Sequence, residues 1–410
     1  MKTTIYIEDD GCSRRNAELS KLYQYFLVNG FTVVDDPALA GYILLSTCAF
    51  KKKEEDHSVR RIRELMDYEA ELIIYGCLPD IAPSRFAEFA HLRCLSPKNL
   101  DEIDALFDGI RVRYADMTNA DMSASTVRAT PLPKALKKFW HEFEISSSFF
   151  LKTARYAEKR MKKMLNPDER RYNLFICRGC FGGCSYCGIQ RAIGPLKSCS
   201  EEEILNQLRK GLNEGYRDFV ILGDDVGAYG LDRESTFPVL LSRLLQESDA
   251  FKAGKEGCSV RFHVEEIHPR WLVKYERELA PVFGSDMISS ILCPVQSGSD
   301  RVLELMNRGH MAGPVEGILA RMRSLNPDIL MTTQIMVGFP SETEDDFKAT
   351  LDFVCRTPFS LVTIFPYHEK ENTPSGRIEP KVPDDVIEER VNEAIRYLKR
   401  NNVKARLSCI

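Results

Sequence analysis

Short apolar segments alternate with helical patterns through the first 115 residues of the chain. The segments TTIYIEDD, FTVV, YILLSTC and ELIIYGC have the apolar and β-branched composition of strands, and helices are predicted near 16–29 and 52–69. Such alternation is typical of a parallel sheet with helices on its faces. Residues 1–115 are therefore predicted to form an open parallel sheet domain.

Six more strand patterns follow between residues 172 and 375. They are NLFIC, DFVILG, SVRFHVE, MISSILCPV, ILMTTQIMVGF and LVTIFPY, with helical patterns between them. A series of this kind predicts a (β/α) barrel or part-barrel. Residues 376–410 are predicted to close the chain with a charged helix that spans 383–406.

The stretch between the two series, residues 116–171, differs in composition. NADMSASTVRATPLP predicts a linker, and FFLKTARYAEKRMKKML at 149–165 predicts a basic helix. A basic helix suits contact with phosphates, docking of an acidic peptide, or solvation of one face of a packing helix. The pattern does not choose among these roles, so it identifies no substrate.

Composition narrows the class of protein. The 410 residues carry a net charge of -4 from 56 basic and 60 acidic side chains, which predicts no overall attraction to nucleic acid. No apolar run approaches the roughly 20 residues that span a bilayer, and MKTTIYIEDD is not a secretion signal. We therefore expect a cytoplasmic protein with no membrane partner. Its 13 cysteines favour metal or redox chemistry over a disulfide framework.

The segment CRGCFGGCSYCGI, residues 177–189, follows the first barrel strand. Cys180, Cys184 and Cys187 are thereby predicted at the carboxyl edge, where such barrels place their chemistry. Three thiolates can hold three irons of a [4Fe-4S] cluster and leave the fourth iron open. Buried or zinc-bound thiols are the alternative, although no fourth Cys or His lies at zinc-ribbon or zinc-finger spacing. We expect Cys177 to point back into the strand and pack.

Three strands of the first region also end in cysteine. Cys12 follows YIEDDG, Cys48 follows YILLST, and Cys77 follows ELIIYG. Ligands of an open parallel sheet collect outside the carboxyl ends of its strands, so these thiols are predicted to converge there. The alternative is that each thiol packs as a small apolar side chain.

The C-x-x-x-C-x-x-C motif of Cys180, Cys184 and Cys187 resembles that of the radical SAM superfamily. The resemblance implies that the open iron binds S-adenosylmethionine (SAM) and that one injected electron cleaves SAM to a 5'-deoxyadenosyl radical. It also implies a SAM pocket: Tyr186 beside the adenine, Gly223 and Asp224 near the methionyl amino group, Gln296 and Ser297, and the Val337-Gly338-Phe339 backbone.

The second trio makes the chain similar to the methylthiotransferases within that superfamily. GCSRRN, STC and YGC match the motifs around their auxiliary-cluster cysteines, and ILGDDVGAYGLD, CPVQSGSDRVLELMNRGH and TTQIMVGFPSETEDDFKATLDFV extend the match. The resemblance implies an α/β fold, with a flavodoxin-like open sheet domain before a radical SAM partial (β/α)6 barrel. It implies two [4Fe-4S] clusters, held by the trio at Cys180 and by Cys12, Cys48 and Cys77. SAM and an electron donor such as flavodoxin or ferredoxin are implied as well.

Several positions depart from the family pattern. Gln190, Ile193 and Cys199 stand where the family has a proline and two arginines, and Gln334 stands where it has an aspartate. The stretch YHEKENTPS at 367–375 replaces a serine- and arginine-bearing motif, and the sequence ends without the TRAM domain of the RNA- and ribosomal-protein-modifying members. We expect these positions to face the substrate end of the barrel.

The resemblance therefore predicts insertion of sulfur and a methyl group into a C–H bond. The departures favour a peptide or protein side chain as the acceptor, and tRNA is the alternative. Two further alternatives are a radical SAM enzyme with a repurposed auxiliary cluster and an iron-sulfur electron carrier.

Overall fold

The computed structural model describes residues 3–9, 12–117, 171–253 and 257–408. The predicted basic helix at 149–165 lies outside the described residues, as does nearly all of the predicted linker and insertion at 116–171. No helix among the described residues has both the length and the apolar character needed to cross a membrane.

The first sheet has five strands in the order β2-β1-β3-β4-β5, and every neighbouring pair is parallel. Its strands are β1 (Thr4–Glu8), β2 (Thr32–Val34), β3 (Tyr42–Thr47), β4 (Glu71–Gly76) and β5 (Arg93–Leu95). Its helices are α1 (Ser13–Val28), α2 (Lys52–Leu65), α3 (Leu78–Ile81) and α4 (Pro83–Phe86), with short 3-10 turns at Pro37–Leu39, Ala87–Phe89, Pro97–Leu106 and Tyr114–Asp116. Apolar clusters cover both faces, as a parallel sheet requires.

The second sheet has eight strands in the order β13-β12-β11-β10-β9-β8-β6-β7. They are β6 (Arg171–Arg178), β7 (Lys197–Ser198), β8 (Asp218–Gly223), β9 (Arg261–Val264), β10 (Ile288–Leu292), β11 (Leu330–Val337), β12 (Leu361–Pro366) and β13 (Ala405–Leu407). The helices are α5 (Ile189–Ile193), α6 (Glu201–Asn213), α7 (Phe237–Lys252), α8 (Pro269–Lys274), α9 (Glu276–Phe283), α10 (Asp300–Leu305), α11 (Ala312–Leu325), α12 (Glu344–Arg356) and α13 (Asp384–Arg400), with 3-10 turns at Val226–Ala228 and Pro374–Arg377.

Six of these strands, β6 and β8 to β12, are parallel and lie side by side in chain order. This arrangement confirms the predicted α/β architecture, an open parallel sheet followed by a partial (β/α)6 barrel. Along β11 buried residues alternate with partly exposed ones, so one face packs against helices and the other lines the barrel lumen. The domain boundaries stay predictions, with the divisions at 1–115, 116–171, 172–375 and 376–410.

The carboxyl-terminal end of the chain differs from the prediction. The helix expected to reach residue 406 ends at Arg400, and β13 then adds to the sheet beside β12. The reason is local, because Asn402 adopts a left-handed backbone with φ 58°, and the N–H of Val403 bonds back to the carbonyl of Leu398. Asparagine tolerates this conformation and commonly ends helices in this way.

Gly76 lets β3 and β4 approach closely just before Cys48 and Cys77. Its φ is 122°, and a Cβ at this position would lie 2.3 Å from the carbonyl oxygen of Thr47. A side chain here would therefore force the two strand ends apart. The edge that carries the amino-terminal cysteines depends on this glycine.

We predict that Gly76→Ala lowers the free energy of unfolding by about 2–4 kcal/mol, because overpacking adds to the cost of a positive φ. Gly30→Ala is the matched control, since Gly30 has φ 84° and no atom lies within 4 Å of the place that its Cβ would take. It is expected to cost only the backbone contribution of about 1–2 kcal/mol. Urea denaturation followed by circular dichroism compares the two, and equal losses would contradict the close-approach explanation.

Candidate functional site

The loop between β6 and α5 holds Cys180, Cys184 and Cys187 at the carboxyl edge of the barrel. The N–H of Gly182 donates to the Sγ of Cys180 at 3.1 Å. The sulfurs of Cys180 and Cys184 both lie within 4 Å of the position that a Cβ on Gly182 would take. Burial raises the pKa of Cys187 to about 11, and the neighbouring charge of Cys184 adds to this effect. The three thiols therefore face one small volume.

Arg308 is a buried cation beside this trio. Its Nη1 lies 3.4 Å from the Sγ of Cys184 and 3.4 Å from the hydroxyl of Tyr186, and its Nη2 donates to the carbonyl of Pro294. Among the described residues Arg308 forms no ion pair with a carboxylate, and its Nε has no hydrogen-bond partner. A buried charge normally has a counter-charge. Thiolates at the neighbouring cysteines would supply one.

Asp225 is a buried carboxylate beside the thiol of Cys180. Its Oδ2 lies 3.7 Å from the Sγ of Cys180, and its Oδ1 accepts a 2.8 Å hydrogen bond from the indole N–H of Trp271. Burial raises the pKa of Asp225, although the Trp271 hydrogen bond and the charge of Arg270 oppose that rise. Sequence reasoning did not select this residue.

The predicted adenine neighbour, Tyr186, lies in a small aromatic cluster. Its ring meets that of Phe339 edge-on with centroids 6.4 Å apart, and Phe339 meets Tyr367 at 5.5 Å. Val337 is fully buried, and Gly338 has φ 83° with a Cβ position 2.3 Å from Ile387. Gly338 therefore leaves room for Ile387 of α13, and the contact of the 337–339 backbone with SAM stays a prediction.

The strand-end residues Gln296 and Ser297 differ in orientation. Gln296 is buried with φ 69°. Its backbone N–H donates a hydrogen bond to the carbonyl of Gln334 on β11. The hydroxyl of Ser297 lies 3.0 Å from that of Thr350 on α12. Ser297 therefore fixes the loop to a helix, so a direct SAM contact through its hydroxyl is not favoured.

Gly223 lies against the buried side chain of Cys177. Cys177 is fully buried, as predicted, and a Cβ on Gly223 would lie 2.7 Å from its Sγ. Burial also raises the pKa of Cys177. The Cys177 thiol thus packs against the end of β8, where only glycine fits.

Cys12, Cys48 and Cys77 follow β1, β3 and β4, which are three adjacent strands of the first sheet. Burial raises the pKa of Cys48 to about 11, and the charge of Cys12 raises it further. The pKa of Cys77 is also raised, first by burial and then by the charges of Cys12 and Cys48, while Arg15 opposes the rise. The three thiols therefore lie close enough to influence one another.

A buried charge network joins this edge to the barrel. Arg15, three residues after Cys12, donates a hydrogen bond to Asp224 at 2.9 Å and forms an ion pair with Glu18 at 2.7 Å. Arg178 at the end of β6 forms a second ion pair with Glu18 at 2.8 Å. Exposure of the Arg15, Glu18 and Asp224 side chains is 3% or less. The two sheets are thus locked together at their carboxyl ends.

Asp224 has different partners from those expected. Besides Arg15, it contacts Arg14 at 3.4 Å and accepts the N–H of Gly179 at 2.9 Å. Burial opposes ionisation, but the two guanidinium groups and this N–H outweigh it and hold the pKa of Asp224 below its usual value. Its carboxylate takes part in the contact between the two sheets, and its place near the methionyl amino group of SAM stays a prediction.

Two of the positions expected at the substrate end are instead inside the protein. Ile193 is 3% exposed and Cys199 is 8% exposed, and both pack in the apolar core or against it. That expectation is therefore wrong for these two residues, because Ile193 at the end of α5 and Cys199 directly after β7 turn their apolar side chains into the core. Gln190 is exposed, and its amide lies 3.4 Å from the carbonyl of Cys180. Gln334 is half-buried on the lumen face of β11.

The YHEKENTPS stretch also bridges the two sheets. Lys370 pairs with Glu55 of α2, with both side chains about nine-tenths buried, and Glu371 accepts the N–H of Ser84 at 3.2 Å. Lys370 therefore serves a contact between domains. It also lies close enough to Cys48 to lower the pKa of that thiol, although burial dominates.

Both trios fit a [4Fe-4S] cluster by donor type and position. Within 3–9, 12–117, 171–253 and 257–408, no three Cys, His, Asp or Glu side chains come close enough to share one metal ion. A [4Fe-4S] cluster does not need three ligands on one metal ion, because each cysteine binds a different iron of the cluster. Three thiols around one volume, with Arg308 or Arg15 nearby to balance charge, suit a multi-iron group better than a single ion.

Comparison with known proteins agrees with this geometry. Residues 174–354 match the Radical SAM superfamily, and residues 4–94 match the uncharacterized protein family UPF0004. The chain is therefore a radical SAM enzyme with a second, amino-terminal domain. TsrM of Kitasatospora setae, a radical S-adenosylmethionine methyltransferase, has a similar fold with TM-score 0.60 and 14% identity over 92% of this chain and 77% of TsrM.

Named relatives narrow the class. The chain is 27% identical to the probable threonylcarbamoyladenosine tRNA methylthiotransferase of Pyrococcus horikoshii, over 94% of this chain and 81% of that protein. It is 25% identical to the ribosomal protein uS12 methylthiotransferase RimO of Acetivibrio thermocellus, over 97% of this chain and 82% of that protein. The two domain matches, together with these relatives, are consistent with a methylthiotransferase-like family of radical SAM enzymes.

We predict that Arg15→Met lowers the free energy of unfolding by about 3–5 kcal/mol, because it leaves Glu18 and Asp224 buried with one cation fewer. Arg209→Gln is the control, since the Arg209–Glu247 pair is solvent-exposed and is expected to contribute about 0–1 kcal/mol. Urea denaturation measures both. A loss for Arg15→Met no larger than that of the control would contradict the structural role given to the network.

Proposed function

We propose that the chain inserts sulfur and a methyl group into an unactivated C–H bond with two [4Fe-4S] clusters and SAM. The observation that carries the proposal is the position of Asp224. It accepts a hydrogen bond from the backbone N–H of Gly179, the residue before Cys180. Its charge also contributes to the raised pKa of Cys77, although burial is the largest cause and Cys12 and Cys48 contribute more than Asp224. One side chain therefore neighbours both cysteine-bearing edges.

Each trio has a distinct task in this proposal. Cys180, Cys184 and Cys187 hold the catalytic cluster, and Cys12, Cys48 and Cys77 hold the auxiliary cluster. When bound, these clusters and SAM supply the radical that activates the C–H bond and the sulfur and methyl group that are transferred.

The protein's own residues prepare that site. Arg308 offsets the negative charge of the thiolates, and the ring of Tyr186, packed edge-on against Phe339, is available to the adenine. The Arg15–Asp224 contact keeps the two edges apposed, and the Lys370–Glu55 pair closes the interface at Cys48. Enclosure of this kind excludes water from reactive intermediates.

A peptide or protein side chain stays one candidate acceptor, supported by the acidic net charge of -4 and by Gln334 in the lumen. The burial of Ile193 and Cys199 removes another argument for it. A tRNA acceptor is the second candidate, favoured by the relative from Pyrococcus horikoshii. An acceptor RNA would bind with strong salt dependence. A cytoplasmic location stays a prediction.

Product analysis tests the acceptor. The reconstituted protein is incubated with SAM, reductant, and either tRNA or ribosomal protein, and a methylthio mass gain is sought on nucleosides and on peptides. A gain on a nucleoside would reject the polypeptide acceptor, and a gain on a peptide alone would reject tRNA. SAM cleavage to 5'-deoxyadenosine would exclude a mere electron carrier.

Cysteine substitution tests the division between clusters. The Cys12→Ala, Cys48→Ala, Cys77→Ala variant should bind about four irons instead of about eight, still cleave SAM, and form no methylthiolated product. Cys184→Ala should lose SAM cleavage because the catalytic site loses a ligand. Cys94→Ala is the control, since this half-buried thiol lies on β5, away from both trios in sequence. Full iron content in the triple variant would contradict the auxiliary cluster.

A further inference from the structure

Three polar side chains meet inside the barrel, toward the end opposite the cysteine-bearing edge. Asp218 begins β8, His263 lies on β9, and Ser290 lies on β10. These strands are adjacent and parallel, and Ser290 pairs in register with His263. The neighbouring residues Phe262 and Ile291 belong to the apolar core. The three polar side chains therefore share the opposite face of the sheet, which lines the lumen.

The imidazole of His263 contacts both of the other groups. Its Nδ1 lies 2.7 Å from the Oγ of Ser290, and its Nε2 lies 3.1 Å from the Oδ1 of Asp218. Asp218 and His263 are buried, whereas Ser290 is partly exposed. A buried carboxylate, a buried imidazole and an accessible hydroxyl, joined in this order, form the arrangement of a nucleophilic serine site.

Arg261 keeps Asp218 ionised and thereby fixes the tautomer of His263. It donates two hydrogen bonds to Asp218, at 2.8 Å and 2.7 Å. Burial opposes ionisation, but the hydrogen bonds from Arg261 and His263 hold the pKa of Asp218 below its usual value. An ionised carboxylate only accepts hydrogen bonds, so the Nε2 of His263 carries the proton. Its Nδ1 therefore accepts the hydroxyl of Ser290, as a general base must.

A break in the strand register lies next to Ser290. The pairing of β10 with β9 shifts between Ile288 and Ser290. Irregularities of this kind re-aim a side chain and are frequent next to active sites. On its other side Ser290 pairs with Leu330 of β11, whose side chain is 55% exposed. The hydroxyl therefore has an accessible apolar surface beside it.

Arg171 adds positive charge at the same place. It is exposed at the start of β6. Burial lowers the pKa of His263 and the charge of Arg171 lowers it further, while the hydrogen bond to Asp218 opposes the fall. The imidazole is therefore a neutral base with a guanidinium close enough to act on it. Such a cation can stabilise the oxyanion that forms when a serine attacks a carbonyl group.

We propose that Ser290, His263 and Asp218 form a serine esterase site, separate from the cysteine-bearing edge. Its substrate is a carboxylic ester with a short apolar acyl group, because the exposed side chain of Leu330 lies beside the nucleophile. The proposal does not rest on the proposed function, since the site uses no cysteine.

The reaction needs only the ester and water. The Oγ of Ser290 forms a bond to the carbonyl carbon, and the hydroxyl proton passes to the Nδ1 of His263. The bond from that carbon to the ester oxygen breaks, and the leaving alcohol takes the proton from His263. Water then attacks the acyl carbon with His263 again as the base, which releases a carboxylic acid and restores the Ser290 hydroxyl. Asp218 acts as a positioning residue that holds the imidazole.

The test treats the reconstituted protein with a fluorophosphonate probe, which reacts with activated serines. Peptide mapping by mass spectrometry should place the probe on Ser290 of the wild-type protein. Hydrolysis of p-nitrophenyl butyrate gives a second readout. Ser290→Ala and His263→Gln should each lose the label and lower kcat/KM for this ester by more than about a hundredfold. Their iron content should equal that of the wild type.

Ser324→Ala is the matched control, because Ser324 is an exposed serine on α11 whose hydroxyl donates to the carbonyl of Ala320 at 3.1 Å. It should leave both labelling and ester hydrolysis unchanged. The wild-type labelling needs no variant, so it tests the site even where a substitution impairs folding.

Absence of the probe from Ser290 in the folded wild-type protein would overturn the proposal. Ester hydrolysis that survives Ser290→Ala would also overturn it, because another group would then be the nucleophile. An unlabelled wild type whose Ser290→Ala variant is less stable to urea would make the three side chains a structural link between strands instead. Neither readout uses SAM or a methylthiolated product, so failure of the proposed function would leave this result unaffected.

Discussion

The buried contact between Arg15 and Asp224 is the interaction on which the arrangement of the site depends. Arg15 lies at the start of α1, beside Cys12, and Asp224 lies at the end of β8, beside the cysteine loop. Both side chains are almost fully buried, and Glu18 and Arg178 extend the pair into a network of alternating charges. Such a network favours one relative position of the two sheets, and that position brings their cysteine-bearing edges together.

A protein of similar fold shows why the strand-end residues matter for the choice of bound group. TsrM, which resembles the chain in fold, is described with cobalamin and a [4Fe-4S] cluster bound. Fold similarity alone therefore does not identify the group that the amino-terminal sheet holds. Cysteines at the ends of three adjacent strands, with Arg15 and Lys370 near their thiols, favour an iron-sulfur cluster at this sheet.

Local patterns in the sequence predicted β1 to β4, β6 and β8 to β12, and the placing of both cysteine trios at strand ends, because strand ends and cysteine spacing are encoded within short segments. The short strands β5, β7 and β13 were missed, because two or three residues carry too little pattern. The partners of Asp224 were not predictable, since Arg15 lies 209 residues away and no local pattern links them. The paired arginines in GCSRRN are the one visible signal of a buried counter-charge at this edge. Ile193 was misplaced because a substitution relative to a family does not reveal whether the side chain is buried.

The most direct test of the central claim is the magnetic interaction between two reduced clusters, measured by electron paramagnetic resonance. If the two cysteine edges face one site, we predict that the fully reduced protein shows a spectrum broadened by dipolar coupling. Variants that lack either trio should show a simple spectrum from one cluster, with no such broadening. A fully reduced wild-type spectrum equal to the sum of the two single-cluster spectra would contradict the apposition of the two edges.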